Sequence, residues 1–210
     1  MRTCSMTKLI GILAAGFATS ACGRTIEWKQ EVPLHDGRVI VIERESEQGG
    51  HDPFIGMRME TTQTLTFVHP VTSERVRWKL PTGLKPYMLD FDNSTPYYVL
   101  IAHTVADYNK WGCPNPPYMV FRYTGKDWER ISFEQLPVVF AKPNLIEMAK
   151  AWEKYIVGGV ASVASLQAYQ KEVSRQYRTI SREKVNPIAE GCHESVLIKQ
   201  GRQSEIDTRR

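Results

Sequence analysis

The sequence has no Gly-x-Ser-x-Gly elbow, no phosphate-binding loop and no dinucleotide fingerprint. Their absence removes the usual signatures of serine hydrolases, nucleotide hydrolases and nicotinamide- or flavin-dependent enzymes. The five histidines, His35, His51, His69, His103 and His193, never fall at the short spacing of a zinc site, and the four cysteines form no Cys-x-x-Cys pair. Neither a metal nor a cofactor is therefore expected. A net charge of +4 over 210 residues provides no clustered basic face, so nucleic acid is not an expected partner. No internal repeat of fixed period is present. The apolar run at residues 9–21 is shorter than the roughly 20 residues a spanning helix needs.

What is there begins at the N-terminus. Arg2 and Lys8 precede thirteen uncharged, mostly apolar residues, which end on Ser20-Ala21 before Cys22. A cationic start, an apolar middle and a small-residue exit describe a secretory signal peptide over residues 1–21. A cysteine directly after the exit resembles the lipobox of bacterial lipoproteins. Ser20 and Ala21 fit that motif, and Thr19 stands where the family favours Leu. The resemblance implies diacylglycerol on the Cys22 sulfur, cleavage just before it, acylation of the new amine and a lipid bilayer as partner. Two or more acyl chains hold a protein stably on a membrane, each buried methylene contributing about 0.8 kcal/mol. Gly23 follows instead of Asp, which in a two-membrane cell implies sorting to the outer membrane, facing the periplasm. Cleavage by the ordinary signal peptidase and release is the plainer alternative.

Without residues 1–21 the chain keeps 25 basic and 23 acidic residues, a net charge of +2. Its 42% hydrophobic and 10% aromatic content can fill a core, which excludes a disordered stalk. Cys4 leaves with the signal and Cys22 is taken by lipid. Cys113 and Cys192 remain in an oxidising compartment, a candidate disulfide. Closing their loop of about 80 residues would stabilise by roughly 4 kcal/mol in the chain-entropy model. Two independent thiols are the alternative.

Residues 22–25 read as a lipidated N-terminus and short linker, and 26–140 as an antiparallel β domain. Asp36-Gly37 is a hairpin signal ahead of Val39-Ile40-Val41-Ile42. The stretch 45–53, with Gly49-Gly50, reads as a loop. Residues 64–68 and 75–80 alternate with period two around a turn at 69–74, which puts Leu65, Phe67, Val76 and Trp78 on one buried face. Further pairs are expected at 87–91 with 97–102 and at 118–123 with 128–131. Residues 97–102 are apolar on both faces, the mark of a central strand. Short hairpins in series suggest an antiparallel β-sandwich or open barrel.

From Pro143 the spacing turns helical. Leu145, Met148, Ala149 and Trp152 form one stripe, and a second runs from Val163 through Leu166 and Val173 to Ile180. The fold class is thus α+β, with a C-terminal pair of helices in a segment 141–200 packed on the sheet. Residues 195–199 could add a short strand, before a polar tail at 201–210.

No constellation stands out as catalytic. Glu43, Glu45 and Glu47 share a strand face, as do many solvated edges, although paired carboxylates can cleave glycans. Asp90, Asp92 and Asn93 begin like a calcium loop but lack its Gly and closing Glu. The best binding candidate is the rigid loop with Trp111, Pro114, Pro116, Pro117 and Tyr118, where prolines pre-set the backbone and aromatics offer contact area. A loop that merely caps the sheet is the alternative. The segment 108–118, with the Asp36-Gly37 hairpin, resembles an uncharacterised group of bacterial envelope lipoproteins without assigned activity. Two function classes follow. The first is a non-catalytic, membrane-anchored binding or scaffolding module with an envelope protein or peptidoglycan partner. The second is a periplasmic hydrolase acting on cell-wall glycan or peptide.

Overall fold

The computed structural model describes residues 24–52, 57–146, 152–173 and 178–184. The signal peptide, Cys22, Cys192, the strand expected at 195–199 and the tail lie outside the described residues. Within them, nine strands build two sheets. Strands β1 (Arg24–Pro33), β2 (Val39–Asp52), β3 (Met57–Val68), β4 (Arg75–Lys79) and β9 (Val160–Ala161) form the first, in the order β4-β3-β2-β1-β9. Strands β5 (Leu84–Asp92), β6 (Thr95–Ala102), β7 (Met119–Tyr123) and β8 (Trp128–Ile131) form the second, in sequential order. Every pairing is antiparallel except β1 with β9. Two short helices, α1 (Val105–Lys110) and α2 (Val163–Glu172), complete the elements used below. The architecture is α+β with sandwich-like sheets, as the hairpin series suggests.

The hairpin tips follow local chemistry. Gly37 sits at φ +88°, a left-handed backbone that glycine adopts without a Cβ clash, and its N–H donates to the Leu34 carbonyl at 3.1 Å. Asn93, at φ 54°, turns β5 into β6, a role its short polar side chain tolerates. Period-two alternation then sets the faces. Val32, Ile42, Leu65, Phe67 and Val76 of the first sheet meet Leu89, Phe91, Tyr98, Leu100 and Phe121 of the second in one core.

Strand β6 is buried on both sides, as expected of residues 97–102. Tyr98 and Leu100 enter the inter-sheet core, while Tyr97 and Val99 pack under a covering layer that includes Leu136, Phe140 and Ile180. Four loops collect at one end of the sandwich: 34–38, 69–74, 93–94 and 124–127. The His69 ring ties two of them together, since it donates from Nε2 to the Ser94 carbonyl at 2.7 Å while its Nδ1 accepts from the N–H groups of Val71 and Thr72. The start of β1 lies at the other end.

Three local expectations are corrected. Residues 45–52, expected in a loop, continue β2, because pairing with β3 through Glu45↔Thr64 and His51↔Arg58 outweighs Gly49 and is accommodated by register shifts. Leu145 and Ile146, expected on a helix, run as an extended strap whose Leu145 N–H donates to the Tyr87 carbonyl. Leu145 enters the inter-sheet core, Ile146 packs in a separate cluster with Trp28, Tyr155, Ala161 and Leu166, and Met148 and Ala149 of the expected stripe lie outside the described residues. Helical structure resumes in the short 3-10 turn Trp152–Tyr155 and in α2, which stops at Val173. Ile180, expected on that helix, sits in an irregular segment bonded to the Ala141 carbonyl and buried against the second sheet.

Candidate functional site

The loop singled out in the sequence is held from several sides. Thr104 caps α1 by accepting from the Asp107 N–H, with Asp107 answering back as a capping box. The Tyr108 hydroxyl donates to the Pro114 carbonyl at 2.8 Å. Cys113 is disulfide-bonded, and the other three cysteines lie outside the described residues. The Asn115–Pro116 peptide is cis, and the Tyr118 N–H returns to the Pro116 carbonyl at 2.8 Å. The result is a stiff wall. Across from it, the residues leaving β8 form the other side of a groove of about 390 Å³, lined by Pro114, Pro116, Tyr118, Arg130, Ile131 and Phe133 among others.

The five expected residues do not act together there. Pro114, Pro116 and Tyr118 line the groove, whereas Trp111 and Pro117 do not. Trp111 packs on the inter-sheet core, with its ring edge to Phe121 at 6.3 Å. Its Nε1 is buried and has no hydrogen-bond partner. The Arg130 guanidinium lies 5.5 Å over the indole and donates to the Trp111 carbonyl at 3.0 Å. The indole is thus a lid on the core, covered from outside by a cation.

The remaining aromatic faces are also used internally. Tyr118 stacks between Tyr87 at 5.8 Å and Phe133 at 5.3 Å, and Arg182 lies 5.3 Å over the Phe133 ring. Burial pushes the Tyr118 phenol above its ordinary pKa, opposed by the Ser181 N–H that it accepts. No flat ring of this stack is left for a sugar to cover. The groove offers ring edges, proline rings and Ile131, with Arg130 and Glu134 among its polar lining.

A larger cleft, about 520 Å³, opens at the opposite end of the second sheet, between the loop tips. Its polar lining is paired within itself. Arg122 is clamped by Glu129, which raises the arginine pKa further, and the Tyr123 hydroxyl donates to Glu74 at 3.2 Å. Nothing in the sequence pointed to this cleft, because its residues come from three separate turns.

The acids reach partners that spacing alone could not name. Glu43, Glu45 and Glu47 on β2 face Arg75, Arg77 and Lys79 on β4, as ion pairs at 2.5, 3.1 and 3.9 Å. These bridges arch over β3 and leave Thr64 and Thr66 buried beneath them on the outer face. Each carboxylate has a cation, so the three acids form a surface ladder and not a pair of catalytic carboxylates. Of the calcium-like acids, Asp90 is buried and taken up by His35: the His35 N–H donates to Oδ2 at 2.9 Å and Nδ1 lies 2.8 Å from Oδ1. The His35 ring otherwise meets the edge of Phe140 at 5.1 Å. Among the described residues no group of three His, Cys, Asp or Glu side chains could hold a metal ion.

A buried polar cluster escaped sequence reasoning altogether. Arg44, 2% exposed, donates from Nη1 to Gln30 Oε1 at 2.8 Å and to the Ile146 carbonyl, and from Nη2 to Gln63 Oε1 at 2.9 Å. The Trp28 ring lies 4.7 Å from its guanidinium carbon. The signal was present: Ile42, Arg44 and Ser46 share one face by period two, and that face is the inner one. The cluster ties the C-terminal strap to the first sheet and opens on neither recess.

No family model matches the chain, and no curated protein or solved structure matches it either.

Proposed function

We propose that this protein is exported, acylated at Cys22 and held on a membrane as a non-catalytic binding or scaffolding module for another envelope component. The anchor half rests on the cationic, apolar and small-residue run that ends at Cys22. The binding half is carried by one observation, the groove whose wall is the stiff 114–118 loop. A preformed wall spares a partner the cost of ordering it, and that cost is what most weakens loop-mediated recognition. Ring edges, prolines and Ile131 suit an apolar stretch of polypeptide, and Arg130 and Glu134 can orient it by hydrogen bonding. The preferred partner is therefore an envelope protein, ahead of peptidoglycan.

The test has two arms. In membranes from cells making the full chain, a photo-crosslinking residue at position 132, in the groove, should capture a discrete partner that the same probe at exposed position 126 does not. Adducts that are absent, or identical at the two positions, overturn the groove as a binding site. Mature protein should begin at Cys22 and carry lipid mass, and Cys22→Ser should release it from membranes or leave it unprocessed. An unmodified N-terminus elsewhere overturns the anchor.

The hydrolase reading draws support from the His35–Asp90 pair, which is the base-and-orienter half of a hydrolytic triad. Among the described residues no hydroxyl or thiol joins the His35 ring, and neither residue lines the groove or the cleft described above. Cell-wall hydrolysis that depends on His35 would turn the choice toward it.

A further inference from the structure

The groove beside the 114–118 loop has two ends, each marked by a contact between its walls. At one end Tyr118 stacks on Phe133 at 5.3 Å. At the other, Arg130 donates to the carbonyl of Trp111, two positions before Cys113, at 3.0 Å. The last described residues arrive at the first end. The Ser181 N–H donates to the Tyr118 hydroxyl at 3.2 Å, and the Arg182 guanidinium lies 5.3 Å over the Phe133 ring. Arg182 also donates to the Leu136 and Pro137 carbonyls at 3.0 and 2.8 Å, which pins the chain there. Lys184 is the last described residue.

The second end holds a covalent link. Cys113 is disulfide-bonded, and its partner lies outside the described residues. With Cys4 removed in the signal and Cys22 acylated, Cys192 is the cysteine that remains. The chain then passes from one end of the groove to the other within the eight steps from Lys184 to Cys192, a reach of at most about 29 Å. The wall from Arg130 to Phe133 takes three steps, about 10 Å if extended. The link is therefore slack, and side-chain chemistry decides the path. Residues 185–191 read Val-Asn-Pro-Ile-Ala-Glu-Gly. Pro187 fixes its own φ and biases Asn186 toward an extended backbone. Val185, Pro187 and Ile188 supply the apolar polypeptide that the ring edges, prolines and Ile131 of the groove suit.

We propose that the groove is occupied by this chain's own segment 185–191, held by a Cys113–Cys192 bridge, and that an envelope partner has to displace it. The inference rests on acylation of Cys22 and on the groove as a site for apolar polypeptide. A segment on a short tether competes at an effective concentration on the order of millimolar. It thereby turns away weak apolar ligands and yields only to a partner that binds more tightly. Cutting the bridge removes that advantage.

The experiment uses the mature lipidated chain in detergent, with the photo-crosslinking residue at position 132 or, as a control, at position 126. A non-reducing digest first identifies the cysteine joined to Cys113. In bridged protein, irradiation should join position 132, and not 126, to residues within 185–191. Reduction with dithiothreitol and, in a second sample, Cys192→Ser should each lower that internal adduct several-fold. In membranes, folded Cys192→Ser should raise capture of the partner at 132 several-fold. A bridge from Cys113 to any other cysteine, or bridged protein without the internal adduct, overturns the self-occupied groove. Partner capture that does not rise in folded Cys192→Ser overturns the competition. Internal adducts with no partner adduct in either chain support self-occupation and overturn the partner reading instead.

Discussion

The side chain of Asn144 stands beside Leu89 as a neighbouring strand would. Its Oδ1 accepts from the Leu89 N–H at 2.9 Å and its Nδ2 donates to the Leu89 carbonyl at 2.8 Å. The second Nδ2 hydrogen reaches the Pro33 carbonyl at 3.0 Å, and the Asn144 carbonyl accepts from Gln30 Nε2 at 3.1 Å. One amide thus closes the open edge of β5 and joins it to β1.

Replacing that amide should be costly. Asn144→Leu strands the Leu89 N–H and two carbonyls in a buried place, at about 1–3 kcal/mol for each group left without a partner. A total loss of about 3–5 kcal/mol in chemical denaturation is expected from the same principle, discounted for relaxation. A loss below about 1 kcal/mol would show that water enters and replaces the amide.

Leu100 is fully buried at the centre of β6. Leu100→Ala should lower stability by about 2–5 kcal/mol through lost burial and a residual cavity. Melting curves that barely shift would mean that the neighbouring side chains collapse into the space.

Trp111 separates capping from binding. As a partly buried lid it should cost about 2–3 kcal/mol on truncation to Ala, less than a fully buried Trp. Capture of the partner at position 132 should persist in Trp111→Ala at temperatures where the variant is folded. Unchanged stability with lost capture would return the indole to the binding surface.

The ladder on the outer face should matter little. Each exposed ion pair contributes about 0–1 kcal/mol and is screened by salt. Glu45→Gln should therefore shift the urea midpoint slightly, and the shift should shrink in high salt. A large, salt-independent loss would show that packing over Thr64 and Thr66 dominates instead.

Alkaline pH probes the interior. Burial raises the phenol pKa of Tyr98, Tyr108 and Tyr118. The unfolded chain releases these protons near pH 10, while the folded protein still holds them. Unfolding therefore releases protons, so stability is full below about pH 10 and declines as pH rises beyond it. Absorbance at the phenolate band should show part of the tyrosine titrating only as the fold is lost. A single titration of all tyrosines near pH 10 in folded protein would contradict this burial.

How much was legible in the sequence depended on distance along the chain. The tip at Asp36-Gly37, the faces of β3 and β4 and the central place of β6 follow from turn chemistry and period-two alternation over a few residues. Glycine tolerance of positive φ and the geometry of a pleated strand are local causes, so sequence suffices. The loop at 111–118 was legible as rigid for the same reason. Which of its residues face a groove was not.

Tertiary structure decided that, because the deciding contacts are distant. Trp111 turns inward where Phe121 and Arg130 meet it. The acids of β2 find their cations 32 positions away. Arg44 and Ile146 meet across 102 positions, and Asn144 and Leu89 across 55. Spacing in sequence reports which side chains share a face. It carries no information about what lies opposite that face, and here the opposite surface determines whether a polar residue is a solvated charge, a buried tie or part of a site.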